Sequence, residues 1–283
     1  MSLNKSISIL IIAAFVLNCS ALCAESIDYN GPSCAPLAGA VRQEFKPDYE
    51  PPVENIVSLD YARLAADDTC HVLISPFKWD AGDWMIAGLG ASAVILTAAF
   101  ADKPLQKQIQ DHRNNTTDKL ARGFEPFGAA YSAVILGAFE LEGMTFDDNR
   151  SKAIAQDGIA ASVIATGIIA FPLKAAIGRR RPNRDKGAFP SMHTTQAFAV
   201  ASVVAEHYDS FWIKAGSYGI ASMVGYSRVE SNSHWASDVL AGAILGTFVG
   251  RTVVHFNKDK RYEISATTVG DGESAGVAVS HAF

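Results

Sequence analysis

Long apolar segments rich in small residues constrain the fold of this chain more than any other sequence feature. Between residues 81 and 256 the chain divides into stretches with the length and composition of helices. They lie near 81–101, 104–121, 124–143, 151–174, 192–208, 211–227 and 234–256. The second stretch is polar and is expected on the surface, whereas the others are rich in Ala, Gly, Val and Ile. This pattern predicts an all-α protein, with a helical bundle over residues 81–256.

Glycines on these stretches are expected to let neighbouring helices approach each other closely, because they carry no side chain. The glycines concerned are Gly88, Gly90, Gly137, Gly167, Gly242 and Gly246.

The apolar stretches are close to the length that a membrane span requires, which is about 20 mostly apolar residues. The stretch 84–101 approaches this length, and the apolar run 158–173 has 16 residues. The last three helices are bracketed or interrupted by charged residues, namely Glu206, Lys214, Asp238 and Arg251. We therefore favour a compact bundle in the periplasm that contacts a membrane. The alternative is an integral inner-membrane protein whose site faces the periplasm.

The N-terminal residues have the layout of an export signal. Lys5 supplies a positive charge, an apolar run follows over residues 7–17, and small residues occur at Ser20, Ala21 and Ala24. We predict a signal peptide over residues 1–24 and an exported protein of the periplasm or cell envelope. Residues 25–80 form a predicted extended arm, proline-rich at first, with a short helix near 59–71.

Two of the four cysteines lie in the predicted signal, which leaves Cys34 and Cys70 in the mature chain. An oxidising compartment permits a disulfide between them. Two free buried thiols remain the alternative.

The C-terminal tail differs in pattern from the helical stretches. Val277, Val279, His281 and Phe283 alternate along the chain after the turn sequence GDGES. Alternation of this kind is typical of strands. We therefore predict a small C-terminal β-hairpin within residues 257–283.

Three short blocks concentrate cationic and imidazole side chains. The first is KAAIGRRRP at 174–182, in which a continuous helix would place Lys174 and Arg181 on one side, two turns apart. The second is PSMH at 190–193, and the third is SRVESNSHWASD at 227–238. Arg179 and Arg180 are interpreted as a largely solvated helix end.

The blocks together predict an anion site suited to phosphate. Lys174, Arg181 and Arg228 supply positive charge, and the arginine forks match the geometry of phosphate oxygens. Ser191 adds a hydroxyl, and Met192 lies at the start of a helix, where backbone N–H groups favour an anion. The net charge of −5 gives no reason to expect nucleic-acid binding.

Two histidines in the blocks can divide the chemistry of phosphoryl transfer. His234 and Asp238 are four residues apart and share a helix face, so the carboxylate could hold a nucleophilic imidazole. His193 could protonate the leaving oxygen and then activate water. The sequence has no clustered His, Cys and carboxylate pattern that indicates a catalytic metal, so no cofactor is expected.

The three blocks closely resemble the type 2 phosphatidic acid phosphatase superfamily, with its patterns Lys-x6-Arg-Pro, Pro-Ser-Gly-His and Ser-Arg-x5-His-x3-Asp. The resemblance implies an all-helical core and metal-independent hydrolysis of phosphate monoesters. It implies that His234 is the nucleophile, that Asp238 orients it and that His193 is the general acid and base. The implied phosphate-binding residues are Lys174, Arg181, Ser191, Met192 and Arg228. The chain departs from the pattern at Met192, where the phosphatases usually have Gly.

The resemblance leaves several functions open. The favoured one is a phosphatase acting on a lipid phosphate or pyrophosphate, and a close variant is an acid phosphatase acting on soluble monoesters. Met192 supports a phosphotransferase of the same superfamily. A vanadium haloperoxidase, which uses similar blocks, and a non-enzymatic envelope protein are less favoured. The sequence does not indicate an oligomeric state.

Overall fold

The computed structural model describes residue 53 and residues 55–265, with side chains described up to residue 259. Its helices are α1 Leu59–Ile74, α2 Ala81–Leu96, α3 Asp102–Asp111, α4 Asn115–Phe124, α5 Ala130–Phe146, α6 Asn149–Ser162, α7 Phe171–Ile177, α8 Met192–His207, α9 Phe211–Glu230 and α10 Ala236–Ser265. The 3-10 turns Ser75–Lys78 and Glu125–Gly128 and the π-helical segments Thr97–Ala101 and Val163–Ala170 connect some of them. Within these residues β pairing is limited to an isolated bridge between Arg180 and Lys186. The all-α prediction is confirmed for this part of the chain.

A capping side chain sets where one of the helices begins. The structure differs there from one of the predicted helices. The predicted helix 104–121 is two helices, because α3 ends at Asp111 and α4 begins at Asn115. The Asn114 side chain accepts hydrogen bonds from the backbone N–H groups of Thr116 and Thr117 at 2.9 and 3.2 Å. This cap favours a new helix start over continuation of the old helix.

Helix α10 is longer than predicted and extends into the stretch assigned to the tail. It continues to Ser265, so the predicted start of the hairpin tail at residue 257 is wrong. The continuation is stabilised by Asn257, which is buried and donates to Asp157 at 2.9 Å, and by Phe256, which stacks on His71 at 3.9 Å. Residues 266–283, with the rest of the predicted hairpin, lie outside the described residues.

Other predictions about the N-terminal region fall partly outside the described residues. The short helix predicted near 59–71 is confirmed as α1. The signal peptide over 1–24 and most of the arm lie outside the described part of the chain and stay predictions. Cys70 is exposed on α1, which excludes a buried thiol there, whereas pairing with Cys34 remains untested because Cys34 also lies outside.

The core lies where α8 packs against α10, with α6 and α9 beside it. Its buried side chains include Ile154, Ala199, Val203, Val249 and Val253. Because α8 is buried along most of its length, its N-terminal end, which carries the second block, is held by neighbours on several sides.

Glycines on α10 allow it to lie directly against the backbone of α8. A Cβ atom added at Gly242 would lie 2.7 Å from the carbonyl oxygen of Ser191, and one at Gly250 would lie 2.6 Å from that of Ala199. The predicted close approach is confirmed at Gly242 and Gly246 and, in ordinary contact, at Gly90. It is wrong for the three glycines whose added Cβ would meet open space, namely Gly88, Gly137 and Gly167.

Three helical stretches are long and apolar enough to cross a membrane, namely Ala81–Asp111, Asn149–Ile177 and Ala236–Asp259. The π-helical segments keep the first two continuous over 31 and 29 residues, which the shorter apolar runs counted in the sequence did not anticipate. Most of the first stretch is not buried, and large side chains such as Trp84, Leu89 and Phe100 are exposed. These properties favour the integral-membrane alternative over a compact soluble bundle.

Candidate active site

The three sequence blocks meet at one end of the bundle, where α7 and α9 end and α8 and α10 begin. Backbone and indole hydrogen bonds join the blocks: the N–H of Ser191 donates to the carbonyl oxygen of Asp238 at 3.0 Å. The Trp235 indole donates to the carbonyl oxygen of Arg180 at 2.8 Å. The site is therefore built by contacts between residues far apart in the sequence.

Lys174 and Arg181 reach the site by a different route from the one predicted. Helix α7 ends at Gly178, which adopts a left-handed conformation with φ of 58°, so Arg181 lies in the following loop. The expectation that both residues share one continuous helix is wrong. Lys174 is fixed by its Nζ, which donates to the carbonyl oxygen of Gly187 at 2.6 Å.

The second block places its side chains at the start of α8. Ser191 is fully buried, and its hydroxyl oxygen accepts a hydrogen bond from Thr194 at 2.9 Å. The Ser191 side chain makes no capping hydrogen bond to the helix. Since the first N–H groups of a helix have no partner within it, Met192 and His193 lie where backbone donors are available to an anion.

His234 is held mainly by a backbone carbonyl. Its Nδ1 lies 2.7 Å from the carbonyl oxygen of Ala188, whereas the nearest Asp238 carboxylate oxygen is 3.7 Å away. That carboxylate oxygen, Oδ2, accepts instead from the backbone N–H of Trp235 at 2.8 Å. Asp238 thus stands at ion-pair distance from His234, whereas the Ala188 carbonyl makes the shorter contact with Nδ1.

The site lowers the pKa of the His234 imidazole, chiefly because the ring is buried. The charges of Lys174 and Arg181 lower it further, and Asp238 opposes them by raising it. A ring that donates from Nδ1 to a carbonyl and stays neutral keeps a lone pair on Nε2.

His193 lies in the same electrostatic environment. The pKa of His193 is lowered to about 4, chiefly because the ring is buried and next because of the charge of Arg228. The Glu125 carboxylate raises this pKa and so opposes both effects. His234 and Lys174 lower the His193 pKa further. The charges that lower the two pKa values come from the same group of residues, since Lys174 contributes to both.

The sequence patterns did not indicate two charged residues of the site, Glu125 and Asp102. Glu125 accepts a charged hydrogen bond from Arg228 at 2.8 Å, and its pKa is lowered first by that bond. Asp102 forms an ion pair with Arg179 at 2.6 Å, and Arg179 also forms one with Asp238 at 2.6 Å. The interpretation of Arg179 as part of a solvated helix end is therefore wrong. An acidic residue at the end of a long apolar run, as Asp102 is, was the available signal.

Comparison with protein families places the second and third blocks in a known context. Residues 183–262 match the model of the PAP2 superfamily. This stretch is similar to the PAP2 superfamily. It includes the blocks that contain His193 and His234, whereas Lys174 and Arg181 lie just before it.

Individual proteins are similar to this chain over different lengths. A lipid A 1-phosphatase of Porphyromonas gingivalis is 44% identical over 80 residues, which are 27% of this chain and 18% of that protein. The match thus spans less than a fifth of that relative. A solved structure, the first transmembrane PAP2 type phosphatidylglycerolphosphate phosphatase from Bacillus subtilis, has a TM-score of 0.50 and 23% identity over 62% of this chain and 94% of its own. The structure of Aquifex aeolicus LpxE has a TM-score of 0.46 and 22% identity over 54% of this chain and 94% of its own.

Proposed function

We propose that this chain is a membrane-bound phosphatase that hydrolyses a phosphate monoester, favoured to be a lipid phosphate or pyrophosphate, through a phosphohistidine on His234. The observation that carries the proposal is the 2.7 Å hydrogen bond from His234 Nδ1 to the Ala188 carbonyl. It leaves Nε2 as the nucleophilic atom of a neutral ring in a cationic site.

Phosphate binding in this proposal depends on charges held at fixed positions. Lys174 and Arg181 act on His234, and Arg228 acts on His193, so positive charge is available beside both imidazoles. The Nε of Arg181 and the Nη2 of Arg228 are buried and have no hydrogen-bond partner among the described residues. Buried donors of this kind are costly without an acceptor, which a bound phosphate would supply.

The proposed reaction has two steps. In the first, His234 Nε2 attacks phosphorus, the bond from phosphorus to the leaving oxygen breaks, and protonated His193 donates its proton to that oxygen. In the second, His193 takes a proton from water, the water oxygen attacks phosphorus, and the phosphorus–nitrogen bond breaks. Inorganic phosphate leaves, and both imidazoles return to their starting state.

The lipid substrate and the location are supported by the apolar surface and by the relatives. Exposed apolar side chains on Ala81–Asp111 support contact with lipid on the same stretch that carries Asp102, which binds Ser237 beside the site. The relative from Porphyromonas gingivalis is named a lipid A 1-phosphatase. An inner-membrane protein with its site facing the periplasm, exported by residues 1–24, agrees with these features.

The test is phosphate release by the full-length chain in detergent, with a chelator present. The substrate panel contains a lipid phosphate, a lipid pyrophosphate and a soluble aryl phosphate, and a second series adds an alcohol acceptor. We expect release from the lipids despite the chelator, and an acid-labile phosphoryl group on His234 after rapid quenching with radiolabelled substrate. Loss of all activity with the chelator, or equal labelling in His234→Gln, would overturn the mechanism. Capture of the phosphoryl group by the alcohol in place of water would establish the transferase alternative.

A further inference from the structure

The Arg179 guanidinium bridges two buried carboxylates. One belongs to Asp238, the neighbour of the candidate nucleophile His234, and the other to Asp102. Arg179 Nη1 donates to Asp238 Oδ1 at 2.6 Å, and its Nη2 donates to Asp102 Oδ2 at 2.6 Å. Ser237 closes the network, since its backbone N–H donates to Asp102 Oδ1 at 2.9 Å and its hydroxyl to Oδ2 at 2.6 Å. Asp102, Asp238 and Ser237 are buried.

The charge balance of this network depends on Arg179. Two carboxylates with 3% and 0% of their side-chain surface exposed lie on either side of one guanidinium. Removal of one partner from a buried ion pair leaves an uncompensated charge, which is strongly unfavourable. With Arg179 present, the three side chains carry one net negative charge beside His234.

The network also fixes where the Asp238 carboxylate points. One oxygen is bound by Arg179, and the other accepts from the Trp235 backbone at 2.8 Å, so both are engaged before His234 is considered. This arrangement explains why Asp238 remains 3.7 Å from His234 Nδ1.

We propose that Arg179, anchored by Asp102, is a positioning residue that holds Asp238 beside His234 and limits its negative charge there. The proposal rests on the phosphatase function proposed above, but its first consequence concerns only the protonation of His234. Arg179 lies within the first block, at one of the unspecified positions between Lys174 and Arg181, and the fold brings it to Asp238 and Asp102.

The first measurement is the titration of the His234 imidazole by NMR in the full-length chain, labelled with ¹⁵N-histidine in detergent. The His234 signal is assigned by its loss in His234→Gln. We expect Arg179→Met to raise the midpoint by about one pH unit, because Asp238 is then free to attract the imidazolium. Arg180→Met is the matched control, since that side chain is exposed, and should leave the midpoint unchanged.

Substitution of Asp102 tests the direction in which the His234 titration midpoint moves. Asp102→Asn should lower the His234 midpoint, because Arg179 then neutralises Asp238 alone. The double variant Asp102→Asn with Arg179→Met restores one net negative charge and should return the midpoint towards that of the unaltered chain. It also removes the buried charge imbalance, so it provides a folded comparison if Arg179→Met does not fold. The other charged groups near His234 are unchanged throughout, namely Lys174 of α7, Arg181 of the loop, His193 of α8 and Arg228 of α9 with its partner Glu125.

Activity distinguishes the two proposals. The double variant should still lose kcat on the order of 100-fold, because the carboxylate is no longer held in place. Arg179→Lys should also lose kcat, since a point charge cannot bridge two carboxylates as a fork does. Equal His234 midpoints in Arg179→Met and Arg180→Met, or in the double variant and Asp102→Asn, would overturn the positioning role. Shifted midpoints in a chain that releases no phosphate would instead retain this role and refute the proposed function.

Discussion

His234 donates from Nδ1 to the carbonyl oxygen of Ala188 over 2.7 Å, and this bond joins the third sequence block to the loop before the second. A carbonyl oxygen can only accept, so the bond itself determines which ring nitrogen carries the proton. Asp238, at 3.7 Å, is left to stabilise the positive charge that the ring acquires during phosphoryl transfer.

The first prediction concerns Asp238→Asn. Since Ala188 keeps the tautomer, we expect kcat to fall by roughly 10- to 100-fold, well short of the ~10⁴-fold loss seen where a carboxylate alone sets the tautomer. His234→Gln should abolish turnover, and both variants are compared by steady-state phosphate release. A loss in Asp238→Asn as complete as in His234→Gln would mean that Asp238 sets the tautomer after all.

The second prediction concerns pH. The reaction needs His234 neutral and His193 protonated, and the pKa of His193 is lowered to about 4 in the ligand-free protein. As pH rises, fewer molecules carry the proton on His193, so kcat/KM should be highest on the acid side of neutrality and fall above it. A bound phosphate dianion favours the protonated ring, so the alkaline limb of kcat should lie at higher pH than that of kcat/KM. A kcat/KM profile that keeps rising from acid into alkaline pH would contradict these roles.

The third prediction concerns Glu125→Gln. The Glu125 carboxylate lies 2.8 Å from Arg228, with 43% of its side chain exposed, and competes with phosphate for that guanidinium. Its removal should strengthen inhibition by inorganic phosphate roughly two- to fivefold, because a partly exposed ion pair is worth at most about 1 kcal/mol. Inhibition constants at low ionic strength measure this, and Glu142→Gln, an exposed residue near the other end of α5, is the matched control.

The same substitution should change the pH profile in a defined direction. Glu125 raises the pKa of His193, so its replacement lowers that pKa and moves the alkaline limb of kcat/KM to lower pH. An unchanged limb together with unchanged phosphate inhibition would show that Glu125 does not face the bound phosphate.

Sequence patterns predicted the helices and the residues of the three blocks because helical composition and motif spacing are local properties. They did not predict that Gly178 ends α7, which changes how Lys174 and Arg181 come together. Nor did they predict Arg179 or Glu125, whose partners Asp102 and Arg228 are distant in the sequence and meet only through packing.

The sequence underestimates the length of the apolar helical stretches for a related reason. The sequence predicts 81–101 and 104–121 as separate helices, whereas the π-helical segment Thr97–Ala101 joins α2 and α3 into one stretch of 31 residues. Continuity of a helix through such a segment depends on its hydrogen bonds, which composition alone does not reveal.

The last prediction concerns the packing that supports the site. An added Cβ at Gly246 would overlap the carbonyl oxygen of Thr195 on α8, and a backbone atom there cannot move without displacing the helix that carries His193. Gly246→Ala should therefore destabilise the protein by about 1–3 kcal/mol. Gly137→Ala is the matched control, because its Cβ would meet open space and a helical Gly costs about 0.5–1 kcal/mol relative to Ala. Thermal unfolding in detergent should show a lower Tm for Gly246→Ala only; an equal or higher Tm would contradict close α8–α10 packing.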